Sequence, residues 1–186
     1  MGRERRPDDP AYYETPRTQL WAQGDIFLEV PRHYAGLSEE LVILGTGTRH
    51  FLSGPLEPGP ALLVTPSCSM ARSADAYDHK VRTLSPIVPV SDLLSLGALS
   101  EDQVRAARAH DGLINYMYLP EHPSSAFRES VALLYMPITL DHDLLDATAR
   151  RLCQLNLEAA QQLQRKLAWY YSGIEVERSR FKPPRD

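Results

Sequence analysis

GPALLVTPSCSM, residues 59–70, holds the sharpest change of character in the chain. ALLVT, residues 61–65, is apolar throughout, then Pro66 breaks it and a small polar cluster follows around Cys68. An unbroken apolar run of this length predicts a strand covered on both faces, or one lying centrally in a closed sheet. The neighbouring segments extend the pattern. GDIFLEVP, residues 24–31, and LVIL, 41–44, read as short strands. KVRTLSPIVPV, 80–90, carries a strand signal that Pro86 and Pro89 confine to an edge or a bend. LINYMYLP, 113–120, and SVALLYMPITL, 130–140, complete the β-type segments.

Two helices stand out. In LSEDQVRAARAHDG, residues 99–112, Ser100 is placed to cap, Gln103 to complete a capping box and Gly112 to end the helix. LEAAQQLQRKLAWYY, residues 157–171, has Asn156 as its cap and Ala160, Leu163 and Leu167 at helical spacing. No βαβ repetition is evident, so a doubly wound sheet is disfavoured. Many short strands with turn-rich connections predict a small, strongly curved sheet or barrel with the last helix over one side. Residues 1–20 read as a flexible arm, 21–173 as the folded domain and 174–186 as a flexible tail.

The chain has 186 residues, two cysteines and a formal net charge of -4. Two cysteines make no disulfide framework. The N-terminus lacks the apolar run of a signal peptide, and no segment approaches the ~20 apolar residues that cross a bilayer. A cytoplasmic protein without a membrane role is expected. The negative balance disfavours broad attraction to nucleic acid, although local basic residues can still meet a polyanion.

Motifs for chemistry are sparse. Cys68 follows a strand, and His79 lies eleven residues later, within reach of a folded-back loop. A Cys68–His79 pair oriented by Asp75 would favour a reactive thiolate, because imidazolium stabilises negative sulfur. A small buried cysteine is the plain alternative. Cys68, His79, His110, His142 and Cys153 offer metal donors, but none falls in a ligand spacing, so no metal or other cofactor is expected. In DHD, residues 141–143, a helix start explains the acids. GTGT, 45–48, lacks the order of a phosphate loop. Trp169, Tyr170 and Tyr171 cover most of a helix circumference, which points to core packing and a dimer contact.

Taken in order, QGDIF (23–27), GPALLVTPS (59–67), TLSPIVPV (83–90) and SVALLYMPITLDHDLL (130–145) resemble the MazF/PemK-like superfamily of small barrels. The likeness runs from Gln23 to Ser172. It implies an SH3-like β-barrel with a C-terminal helix, homodimers, metal-independent cleavage of single-stranded RNA and an antitoxin partner. Two positions depart from the toxin pattern. Gly59 stands where a basic residue precedes the proline, and Val88 where threonine follows Pro86 and Ile87. Neither side chain can stabilise a phosphorane or position a proton. TPSCSM also resembles a Q-x-C-D-like turn of other bacterial barrels, with Ser69 in the acid's place. The resemblance, with these departures, therefore implies a non-enzymatic or catalytically divergent barrel module binding protein or nucleic acid. The alternative is a divergent endoribonuclease or a Cys68-dependent hydrolase or phosphotransfer enzyme. In the ribonuclease, Arg72, Lys80 and Arg82 would supply anion binding.

Overall fold

The computed structural model describes residues 12–16, 20–32, 42–46, 49–53, 57–70, 81–109, 113–124 and 126–172. Among the described residues ten strands run in chain order: β1 (Tyr13–Glu14), β2 (Asp25–Arg32), β3 (Val42–Thr46), β4 (Arg49–Ser53), β5 (Glu57–Leu63), β6 (Val81–Pro89), β7 (Tyr116–Leu119), β8 (Ser130–Leu133), β9 (Ile138–Asp141) and β10 (Arg150–Leu155). Five helices accompany them among the same residues: α1 (Ser67–Met70), α2 (Val90–Ser95), α3 (Glu101–Arg108), α4 (His142–Thr148) and α5 (Leu157–Ser172). The main sheet has the order β1-β10-β2-β5-β6-β8-β7, with β9 also on β6, and β3 and β4 form a separate hairpin. Every pairing is antiparallel.

The sheet is open. Its order begins at β1 and ends at β7, which do not pair with each other. The expected SH3-like closed barrel is thereby corrected to a mixed α/β fold around an open eight-stranded sheet. Alternation along a strand reports that its faces are covered, and a curved open sheet satisfies that as well as a closed one. Closure depends on edge pairing, and β1, two residues long, pairs with β10 and not with β7. These two residues fall in the stretch expected as an arm.

The apolar run decides the layers as it predicts. Leu62 and Val64 enter a core shared with Ile26, Ile87, Met117, Leu119 and Cys153, roofed by Ala159, Leu163 and Leu167 of α5. Ala61 and Leu63 point the other way, into a second core with Phe27, Leu84, Met70 and Leu145 of α4. Farther along that outer face, Val131 and Leu133 pack with Val90, Leu93, Leu99 and Val104 from α2 and α3. Both faces of the sheet are thus buried by helices.

Pro86 was expected to keep its strand at an edge or a bend, yet β6 is nine residues long and central. Thr83 turns its carbonyl toward β5, accepting from Val64 N–H at 3.0 Å. Alternation then points the backbone of Leu84, Pro86 and Val88 to the opposite side. On that side β9 pairs as far as Leu84 and β8 begins at Ile87. The missing N–H of Pro86 falls in the gap between two partner strands, so no ladder bond is lost.

The helix caps follow the sequence. Ser100 Oγ accepts from Gln103 N–H at 3.3 Å, and Ser100 N–H donates to Gln103 Oε1 at 2.8 Å. Asn156 Oδ1 accepts from Ala159 N–H at 2.8 Å. Asp141 caps α4 through Asp143 N–H at 2.8 Å, which accounts for the acids of DHD. Gly112 lies outside the described residues.

Candidate functional site

The turn before β2 meets the end of β5 where Cys68 sits. Gln23 N–H donates to Ser67 Oγ at 3.0 Å, and Gln23 Nε2 donates to Val64 O at 2.7 Å. Gly24 has a φ of 95°, a conformation that glycine adopts without strain, and its N–H donates to Leu63 O at 2.9 Å. Across the junction Thr83 N–H donates to Thr65 Oγ1 at 2.7 Å. The hydroxyls of Thr65 and Ser67 therefore serve to join three segments. Cys68 is the second residue of the four-residue α1. Arg72, Asp75, His79 and Lys80 lie outside the described residues, and with them the Cys68–His79 geometry. Arg82 lies on β6 opposite Leu140, 1% exposed, and donates from Nη1 to Val81 O at 3.1 Å.

Below the turn sits a buried ion pair that the sequence did not announce. Arg151 Nη2 donates to Asp25 Oδ1 at 2.7 Å, and Ala22 N–H donates to Asp25 Oδ2 at 2.7 Å. Arg151 Nη1 reaches Leu20 O at 3.1 Å. Burial raises the Asp25 pKa, against the lowering effect of the Ala22 amide and Arg151. The adjacent Cys153 thiol is pushed up to about 12 by burial, with the Asp25 charge adding to it. A thiol so protonated is a poor nucleophile. This cluster locks the turn; its groups are spent on one another.

Two other placements escaped sequence reading. Arg32 reaches across β5, donating from Nη1 to Ile87 O at 3.3 Å. Its guanidinium occupies the space that Gly59 leaves for want of a side chain. Lys166 is buried in α5 and donates from Nζ to Leu113 O at 2.6 Å. Burial, with Arg165 nearby, lowers its pKa to about 8. The signal for Lys166 was its place three residues after Leu163, on the stripe that faces the core.

At the end of α5, Trp169 and Tyr170 are half-buried and Tyr171 is 63% exposed. The rings of Tyr170 and Tyr171 meet edge-on at 5.2 Å. No other described part of the chain presents adjacent aromatics in this way along one helix. Among the described residues no group of three or more His, Cys, Asp or Glu side chains is arranged to hold a metal. The His142 ring instead packs against Trp21 in a tilted contact, with ring centroids 4.3 Å apart. No described helix is long and apolar enough to cross a membrane.

No protein-family model matches this chain, and no curated protein matches it. The open sheet overturns the MazF/PemK resemblance, which rested on short motifs. The barrel module, the divergent endoribonuclease and the antitoxin partner fall with it.

Proposed function

We propose that the chain is a protein-binding module that self-associates as a homodimer through the C-terminal end of α5. The observation that carries this reading is the Trp169–Tyr170–Tyr171 cluster, partly buried at its root and open at Tyr171. Rigid aromatics supply large contact area at little entropic cost and dominate the centres of interfaces. A two-fold axis beside the helix end would bring the cluster against its own copy, a self-complementary contact. The net charge of -4 supports a protein partner over a polyanion. The sparse cysteines support a cytoplasmic setting.

Light scattering coupled to gel filtration tests the reading. The chain of 20.9 kDa should run at twice that mass at micromolar concentration. Tyr171→Glu should return it to a monomer without loss of helix content. A wild-type monomer across that range, or a dimer indifferent to Tyr171→Glu, would overturn the proposal.

A further inference from the structure

Two edges of the main sheet lie on the side of β6 away from β5, and they are finished differently. At β7, Leu134 N–H donates to Asn115 O, so Asn115, Met117 and Leu119 turn their backbone groups toward β8. Tyr118 and Pro120 turn theirs outward, and their carbonyls are met. Tyr12 donates its hydroxyl to Tyr118 O at 2.7 Å, and Tyr13 donates its hydroxyl to Pro120 O.

β9 forms the other edge. Its register on β6 is Val81↔Asp141, Arg82↔Leu140, Thr83↔Thr139 and Leu84↔Ile138. Thr83 turns its backbone to β5, where its carbonyl accepts from Val64 N–H and its N–H donates to Thr65 Oγ1. Arg82 and Leu84 therefore bond Leu140 and Ile138, and the backbone groups of Thr139 and Asp141 point away from the sheet. Among the described residues nothing meets the Thr139 N–H and C=O or the Asp141 N–H.

The side chains at this edge divide between two faces. Ile138 and Leu140 pack on the core of Phe27, Leu84 and Leu145 and stay half-buried, with no described strand beyond them. Thr139 and Asp141 are exposed on the opposite face. Met136, two residues before the strand, and Leu144, three residues after it, are 40% and 46% exposed. No described cation pairs with Asp141, and α4, which follows at once, adds the exposed Asp143 and Asp146 to the same end.

We infer that the outer edge of β9 takes up an extended basic peptide of a partner protein as an added strand. Bonds to the Thr139 and Asp141 backbone supply affinity that any extended segment can gain. Side chains set the choice. Alternate residues of the peptide cover the half-buried Ile138 and Leu140 and must be apolar, while those between them stand beside Asp141 and gain from positive charge. The inference rests on the reading of the chain as a protein-binding module, but on residues separate from the α5 contact.

Amide NMR on the full chain tests the edge. In the free protein the Thr139 amide should exchange readily while the Leu140 amide, bonded to β6, stays protected. The probe is the capped peptide KVRVKVR, with EVEVEVE as its acidic control. The basic peptide should bind with a dissociation constant below about 1 mM and shift the Thr139 and Asp141 amides. At roughly ten times that constant it should slow Thr139 exchange about tenfold. Thr139→Pro removes the outward donor where an edge strand tolerates proline, and should weaken binding about tenfold. Asp141→Asn keeps an α4 cap without the charge, and should weaken binding and lessen its salt dependence. Tyr171→Glu should leave peptide binding unchanged, so failure of the dimer contact leaves this test standing. No binding of the basic peptide, equal binding of the acidic one, shifts away from β9, or folded variants that bind as wild type does would overturn the inference. So would a protected Thr139 amide in the free chain, which would show the edge already covered, by a second copy if the protection grows with concentration.

Discussion

Arg32 lays its guanidinium over the bare backbone of Gly59, so close that a Cβ built there would stand 1.7 Å from Nη2. The two residues lie on adjacent strands, β2 and β5, and the arginine reaches on to Ile87 of β6. Gly59→Ala should expel the guanidinium and cost about 1 kcal/mol, the net worth of a lost hydrogen bond. Because the displaced group is the end of a flexible side chain, the fold should survive. In an Arg32→Ala background the same change should cost less. Urea unfolding of the four proteins of this cycle measures the coupling; simple additivity would show that the two residues do not interact.

The buried Asp25–Arg151 pair should respond unequally to single and double changes. Arg151→Met leaves a carboxylate at 0% exposure without its cation and should cost about 3–5 kcal/mol. Asp25→Asn with Arg151→Met removes both charges and should recover much of that loss. Burial holds the folded Asp25 pKa above its unfolded value. Its contribution is therefore most favourable below the unfolded pKa and is lost as pH rises through the folded one. Denaturant titration at neutral and acidic pH reads both effects; a single variant as stable as wild type would contradict this account.

Lys166 makes stability rise with pH over its own window. Its folded pKa of about 8 lies below the ordinary 10.5, so between those values the unfolded chain binds more protons. Stability should climb there by up to about 3 kcal/mol. Cys153, Tyr12 and Tyr118 oppose it, since burial raises each of their pKa values and they lose stability above pH 9 or 10. The difference between wild type and Lys166→Met isolates the lysine. Wild type should gain stability relative to the variant as pH rises from 8 to 10, and a flat difference would refute the burial account.

Leu62→Ala and Leu63→Ala probe opposite faces of one strand. Both residues are 0% exposed but belong to different cores. Each change should cost about 2–5 kcal/mol. If only one of them destabilises, one face is not closed in solution.

Ser100→Ala removes one half of the α3 capping box and should cost about 1 kcal/mol. Thermal unfolding followed by circular dichroism measures it.

Local rules made much of the fold legible in the chain. ALLVT pointed to a strand covered on both faces or central in a closed sheet, and Ser100, Asn156 and Asp141 marked helix starts through bonds to residues two or three positions away. Such features need only nearest neighbours, so their physics is written in short stretches. The ring that was expected from GDI-type and P-I-type motifs was a different kind of statement. Whether a curved sheet closes depends on the pairing of β1 with β7, segments about a hundred residues apart.

The candidate sites divide along the same line. The aromatic end of α5 could be read from three adjacent letters and a helical period. Asp25 with Arg151, Arg32 over Gly59 and Lys166 at Leu113 could not, because each joins residues from distant segments. Sequence by itself marked β2, β5, β7, β8 and the starts of α3 and α5, but not β10, nor the turn that parts β8 from β9. Tertiary structure alone decided that the sheet stays open, since that turns on edge carbonyls being met by tyrosine hydroxyls in place of another strand.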